Sequence, residues 1–300
     1  MPTAPLPRQY SVAVAGVAVV TDSTSSLAAG LADRAGITVI ALQVVIDGDS
    51  RQENEVDPAL VAAALRDGRQ VSTSRPAPEA FGQAYEALAG SGYEAIVSVH
   101  LSATMSGTVQ AAELAARSAK LPVTVVDSQT LAMATGFAAI SGADAARSGR
   151  SAVEVTALIR ARASGSVTYF CVDSLGYLQR GGRIVPGAAA ATAPLAAKSL
   201  LTVANGQIRP YERARTASAA AARLEELSLA ALGAGGDSVV DIAVHHFDAA
   251  KEAADLASRL SGRTSGEVVN SQLGAVLGAH VGPGTIGVVI SPRPRGSLGS

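Results

Sequence analysis

Residues 93–108 read YEAIVSVHLSATMSGT, an apolar, β-branched run that breaks abruptly into small hydroxyl-bearing residues. Tyr93–Leu101 has the length and composition of a buried strand. Ser102–Thr108 supplies a polar turn, and the Ala/Leu-rich stretch to about Ala119 continues as a helix. Strand, polar turn and helix make the unit of a parallel sheet covered by helices. The unit recurs on either side. Val17–Val20 leads into Ser23–Ser26 and a helix ending near Gly36, and Val123–Val126 leads into Asp127-Ser128 and a long helix. In open parallel sheets the loops at the carboxyl ends of the strands converge on one edge, where ligands bind. Three such loops rich in Ser, Thr and Asp place a polar ligand site at that edge.

Between these units, Ile37–Ile46 reads as a second strand closed by Asp47-Gly48-Asp49. Asp57-Pro58 is an N-cap and first-turn pair for a helix that stops at Gly68. Val71–Pro76 reads as a polar loop before a helix starting about Pro78. Ser151 and Glu154 form a capping box for a helix that ends near Gly165. Beyond it the pattern changes. Val167–Val172 reads as a strand, Asp173–Arg183 as a short helix with a glycine turn, and Ala188–Ala197 as an Ala-rich helix. Asn205-Gly206 between extended runs signals a hairpin. Further strands are predicted at Val239–His246, near Val268 and at Ile286–Ile290, the last preceded by a glycine-rich loop, Gly274–Gly284. The expected fold class is α/β in two domains. A flexible N-terminus (1–16) precedes a largely parallel α/β sandwich (17–165) and a mixed-sheet α/β domain (166–291), with a disordered tail (292–300).

Composition narrows the function. The chain has 300 residues, 48% of them hydrophobic, enough for a sizeable core. Its 24 basic and 25 acidic residues give a net charge of -1, so charge offers no reason to expect nucleic acid, and membrane contact is expected to be transient at most. The single cysteine, Cys171, forms no internal disulfide and suits a reducing cytoplasm, the expected location. Four scattered histidines make metal binding unpromising; the neighbours His245 and His246 would point to opposite faces of a strand. Ser11–Val20 is too short to span a bilayer and reads as the start of the first strand.

Motifs for catalysis and nucleotide binding are weak. Ser106, in Thr-Met-Ser-Gly-Thr, lacks the first glycine of the G-x-S-x-G elbow, and His280 has no evident orienting acid. A Ser-dependent lipid or ester hydrolase acting through Ser106 stands as the alternative reading. No phosphate-binding loop and no G-x-G-x-x-G follows a strand. What remains is a set of hydroxyls at strand ends and helix starts. Thr73, Ser74, Ser106 and Thr108 either cap their own helices or join helix N-termini in holding one small anion. Arg215 and His280 are open to a structural reading or a ligand role, and Arg180-Gly181-Gly182-Arg183 is either a helix C-cap or a basic docking spot.

Taken together and in register, these pieces resemble the DegV family of bacterial lipid-binding proteins, which includes the fatty-acid-binding subunits of fatty acid kinase. Asp22-Ser23-Thr24 is similar to the family's opening D-S-T, and Thr73-Ser74-Arg75-Pro76 to its T-S-x-P loop. Ser102 through Ser106-Gly107-Thr108 resembles its S-x-x-x-S-G-T turn, and Asp127-Ser128 the D-S that follows. Tyr177-Leu178-Gln179-Arg180-Gly181-Gly182-Arg183-Ile184 is similar to its Y-L-x-[KR]-G-G-R-I, and Gly278–Gly284 to its closing G-x-H-x-G-P-G. Lys198-Ser199-Leu200-Leu201 departs from a common K-P-x-L, and Arg75 stands where glutamine is common.

The resemblance implies a protein without catalysis of its own or a cofactor, holding a long-chain fatty acid between its domains. Thr73, Ser74 and Ser106 would grip the carboxylate, with Arg215 and His280 approaching from the second domain. A separate ATP-using kinase subunit would then take up the presented carboxylate and form an acyl phosphate, with Arg180 and Arg183 as its docking candidates. Each buried methylene contributes about 0.8 kcal/mol. A chain of roughly sixteen carbons would therefore gain on the order of 10 kcal/mol before ordering costs. The tail should dominate affinity and the polar loops should fix orientation.

Overall fold

The computed structural model describes residues 16–28, 30–184, 198–234, 236 and 238–295. The first half of the chain gives β1 (Val17–Asp22), α1 (Leu31–Ala35), β2 (Ile37–Ile40), β3 (Gln43–Ile46), β4 (Asp49–Gln52), α2 (Pro58–Arg66), β5 (Val71–Ser74), α3 (Pro78–Gly90), β6 (Ala95–His100), α4 (Thr108–Ala116), β7 (Val123–Asp127), α5 (Met133–Arg147) and α6 (Ala152–Gly165). The second half gives β8 (Val167–Val172), α7 (Gly176–Gly181), β9 (Lys198–Ala204), β10 (Gln207–Ala214), α8 (Ala217–Ala234), β11 (Val240–Phe247), α9 (Ala250–Leu260), β12 (Val268–Gln272), α10 (Ala275–Val281) and β13 (Thr285–Pro292).

The parallel units legible in the sequence assemble as one sheet in the order β2-β1-β6-β7. Both faces are covered, which is why these strands read as unbroken β-branched runs. Val19, Val97 and Val126 pack against α5 and α6 on one face. Ala18, Val20 and Ile96 pack against Phe81 and Tyr85 of α3 and against α4 on the other. The capping box at Ser151 and Glu154 and the Asp57 cap on α2 are both formed.

A second, mixed sheet of six strands runs β10-β9-β8-β13-β11-β12. Its outer face, with Leu200, Ile242, Val244, Val288 and Ile290, is covered by α8 and α9. Its inner face presents Phe170, Val172, Leu201 and Phe247 to the first lobe. Asn205 and Gly206, at φ 51° and 75°, make the hairpin turn between β9 and β10.

Several expectations are corrected. Ile37–Ile46 is two strands: β2 stays in the parallel sheet, while β3 leaves it to pair antiparallel with β4 and β5. Val71–Ser74, read as a loop, is the strand β5. A run that changes sheets carries no polar break when both halves bury one face. The glycine-rich stretch before the last strand is helical over Ala275–Val281. Gly278 is needed there because the Phe247 ring lies directly on it, leaving no room for a β-carbon. Order extends into the segment expected as a disordered tail: β13 runs to Pro292, and Arg293 donates from Nε to Asp241 Oδ2 at 2.9 Å. The helix expected at Ala188–Ala197, the N-terminus up to residue 15 and the end from residue 296 lie outside the described residues.

Several hydrogen bonds and ion pairs join the lobes, among them these. Arg162, on α6 and buried, donates to Ser141 Oγ at 2.8 Å and Ser291 Oγ at 3.0 Å and pairs with Asp241. The Met133 amide, first in α5, donates to His245 Nε2 on β11 at 3.3 Å. Glu53 of the first lobe accepts from the Val276 amide of α10 at 2.7 Å. At the hairpin tip, the Gly206 carbonyl accepts from Ser102 Oγ at 2.7 Å and Thr104 Oγ1 at 2.5 Å.

Candidate functional site

Between the inner face of the six-stranded sheet and the first lobe lies a cavity of about 80 Å³. The space is narrow, with little of it clear of the walls by a water radius. Its walls are mainly aliphatic and aromatic: Leu42, Leu101, Met105, Leu131, Phe170, Leu178, Ile208, Leu273, Val276, Leu277 and Val289. On β13 the lining runs from Thr285 to Val289, about 13 Å of strand.

One end gathers the polar groups. Thr73 and Ser74 come from the end of β5, Ser106 from the turn between β6 and α4, and His280 from the last turn of α10. Thr73 Oγ1 lies 2.8 Å from His280 Nε2, and Ser106 Oγ lies 2.8 Å from Thr108 Oγ1. Ser74, exposed, donates to the Arg75 carbonyl at 3.3 Å. The four residues read from the sequence as Thr73, Ser74, Ser106 and His280 therefore share one cavity wall, although 207 positions separate the first from the last. Burial pushes the His280 imidazole down to about 4, and the Arg183 charge acts in the same direction. At neutral pH the cluster is thus a set of uncharged hydrogen-bonding groups. Gly181 makes room for the ring, since a β-carbon there would stand 2.5 Å from His280 Nδ1.

Arg215 does not join this cluster. It is exposed just past the end of β10, and it is not among the residues lining the cavity. Ile208, which does line it, sits near the opposite end of that strand, seven residues earlier and so roughly 20 Å away. The cations at the polar end are Arg183 and Arg75. Arg183 donates from Nε to the Met105 carbonyl at 3.1 Å and from its guanidinium to the Gly181 carbonyl. Arg180 points outward, with its guanidinium 4.8 Å from the Tyr177 ring centroid.

Two contributors, Glu53 and His245, have no site role in the sequence reading, and a third, Arg183, is expected there only as a docking residue. Glu53, whose carboxyl is pushed up by burial, fixes the start of the helix that carries His280. Nothing in its surroundings, Gln52-Glu53-Asn54, marks it. His245 lines the cavity away from the hydroxyl cluster, and burial pushes it down to about 4. Because the Met133 amide donates to its Nε2, the ring proton is on Nδ1, 3.0 Å from Ser271 Oγ. Arg183 carried a signal, the R-G-G-R run, but that run reads as surface.

A Ser-His-Asp constellation does exist, elsewhere. Ser98 Oγ lies 2.7 Å from His100 Nε2, and His100 Nδ1 lies 3.0 Å from Asp22 Oδ2. Tyr85 donates its hydroxyl to Ser98 at 2.9 Å, and Asp22 also accepts from the Thr24 and Leu101 amides. Ser98, His100 and Asp22 are completely buried in the parallel sheet, so no substrate reaches them. Ser106 has no histidine partner. Among the described residues no His, Cys, Asp and Glu cluster could hold a metal ion, and no helix is long and apolar enough to cross a membrane.

Known proteins share this fold. The chain is 48% identical over 280 residues to a DegV domain-containing protein of Streptomyces coelicolor, covering 92% of this chain and 99% of the relative. Among solved structures, it is similar to the fatty-acid-binding DegV family protein of Thermus thermophilus, with a TM-score of 0.85, 30% identity, and coverage of 92% and 99% of the two chains. It is also similar to DegV of Bacillus subtilis, a fatty acid binding protein, with a TM-score of 0.84, 31% identity, and coverage of 93% and 99%. The family model described as an uncharacterised protein of the DegV family matches residues 16–293, and with the fold and cavity above this places the chain in the DegV family.

Proposed function

We propose that this protein binds one long-chain fatty acid in the inter-lobe cavity, without chemistry of its own. The observation that carries the reading is a narrow apolar cavity with its hydrogen-bonding groups gathered at one end. Such a space suits a flexible hydrocarbon chain with a single polar head. Thr73, Ser74, Ser106 and His280 hold the carboxylate, and the aliphatic walls take the tail. Fatty acid binding by the Thermus thermophilus and Bacillus subtilis relatives supports it. Mass spectrometry of the denatured purified protein tests it directly: a stoichiometric acyl chain is expected. Empty protein that also fails to take up added fatty acid sinks the reading.

The same reading makes the protein a carrier that presents the carboxylate to a separate ATP-dependent kinase subunit. Arg180, exposed beside the polar end, is the better docking residue; Arg183 is turned inward onto two carbonyls. Capture of a kinase subunit by the wild type, and its loss with Arg180→Ala, is the expected result. Capture unaffected by that change removes Arg180 from the contact. The hydrolase alternative loses ground because Ser106 pairs with Thr108 and His280 with Thr73.

A further inference from the structure

Arg75 is the cation at the cavity that the protein itself leaves unused. Among the described residues its guanidinium has no hydrogen bond and no ion pair. Arg183, the other arginine of the wall, already gives donors to Met105 and Gly181 carbonyls. Arg75 lies across Gly107, next to Ser106: a β-carbon on Gly107 would stand 2.7 Å from Arg75 Nη1 and 2.8 Å from Cδ. The glycine thus lets a long charged side chain lie down over the hydroxyl cluster. No aspartate or glutamate lines the cavity or the open depression beside it, where Arg69 and Arg180 also sit. Arg69 is neutralised by Asp47 at 2.7 Å; Arg75 has no such partner.

We propose that Arg75 determines head-group specificity, supplying the ion pair by which this site prefers an ionised carboxylate to a neutral head on the same chain. The proposal rests on the fatty-acid reading and adds a residue to it. The hydroxyls and neutral His280 can hydrogen-bond an acid, an alcohol or an ester. Only a charge separates them, because charge-assisted bonds are about twice as strong as neutral ones. Arg75 is exposed, so its pull is screened by salt.

The test compares palmitic acid with hexadecanol by displacement of a fluorescent fatty acid, at low and high salt, for wild type, Arg75→Gln and Arg75→Lys. At low salt Arg75→Gln weakens the acid about tenfold and leaves the alcohol unchanged, Arg75→Lys keeps most of the preference, and high salt narrows the wild-type preference. Equal binding of the acid by wild type and Arg75→Gln, or parallel weakening of acid and alcohol, overturns the role of Arg75 while fatty acid binding stands. Failure of the wild type to bind either ligand overturns the fatty-acid reading and Arg75's role with it.

Discussion

Two of the hydroxyl–histidine pairs in this protein sit in opposite settings. In the parallel sheet, Ser98, His100 and Asp22 reproduce the order and spacing of a hydrolytic triad, yet all three are completely buried. At the cavity, Thr73 and His280 make the same kind of contact at 2.8 Å, with no carboxylate behind the imidazole. The first is complete and unreachable; the second is reachable and incomplete. Access decides which hydroxyl a ligand can meet. The buried set ties the carboxyl ends of β1 and β6 together, because Asp22 accepts from groups on both.

The largest expected effect is on stability at acid pH. His245 and His280 are both held near 4 by burial, against 6.5 in an unfolded chain. Between those values the unfolded state binds more protons, so stability is full above about pH 6.5 and falls as pH drops toward 4, by several kcal/mol for the pair. The double variant His245→Gln, His280→Gln should flatten this acid limb in urea titrations; an unchanged limb would assign it to other groups. Next in size, Asp22→Ala leaves the Thr24 and Leu101 amides, the Thr24 hydroxyl and the His100 ring without their acceptor. A loss of about 3–4 kcal/mol in denaturant unfolding is expected, and a loss below about 1 kcal/mol would show that the buried set is dispensable.

Smaller effects belong to the cavity. Ser106→Ala should lower fatty acid affinity roughly tenfold, about 1.4 kcal/mol, with little change in melting. Equal affinity would take Ser106 out of the head-group set. A serine-directed phosphonylating probe should label neither Ser98 nor Ser106, and stoichiometric labelling of either would revive a hydrolase. Arg215→Ala, remote from the cavity wall, should change affinity within error.

The parallel sheet was legible because its central strands, β1 and β6, bury both faces and its loops change composition sharply. The β3–β5 sheet was hidden: the apolar run of Ile37–Ile46 crosses from one sheet to the next with no turn residue at Ala41-Leu42. The helix α10 was hidden for another reason. Gly278 and Gly282 look like loop residues, but aromatic rings from Phe247 and Tyr177 occupy the space where their side chains would be. Thr73, Ser74, Ser106 and His280 are candidates by residue type, but only the family resemblance groups them into one site, since single hydroxyls near helix starts look like caps. Arg215 illustrates the limit. A strand of eight residues separates the hairpin tip from the helix that follows, and local sequence does not say which end faces the ligand.

The carbonyl of Gly206, held by two hydroxyls of the opposite lobe, has a mechanical consequence. With Arg162, Glu53 and His245 bridging elsewhere, the halves are riveted around the cavity at points spread over the chain. A clamshell opening would shear all of these rivets at once. On the proposed function, a fatty acid would pass through a local breach in the wall, and small-angle scattering should give the same radius of gyration for the empty and the filled protein.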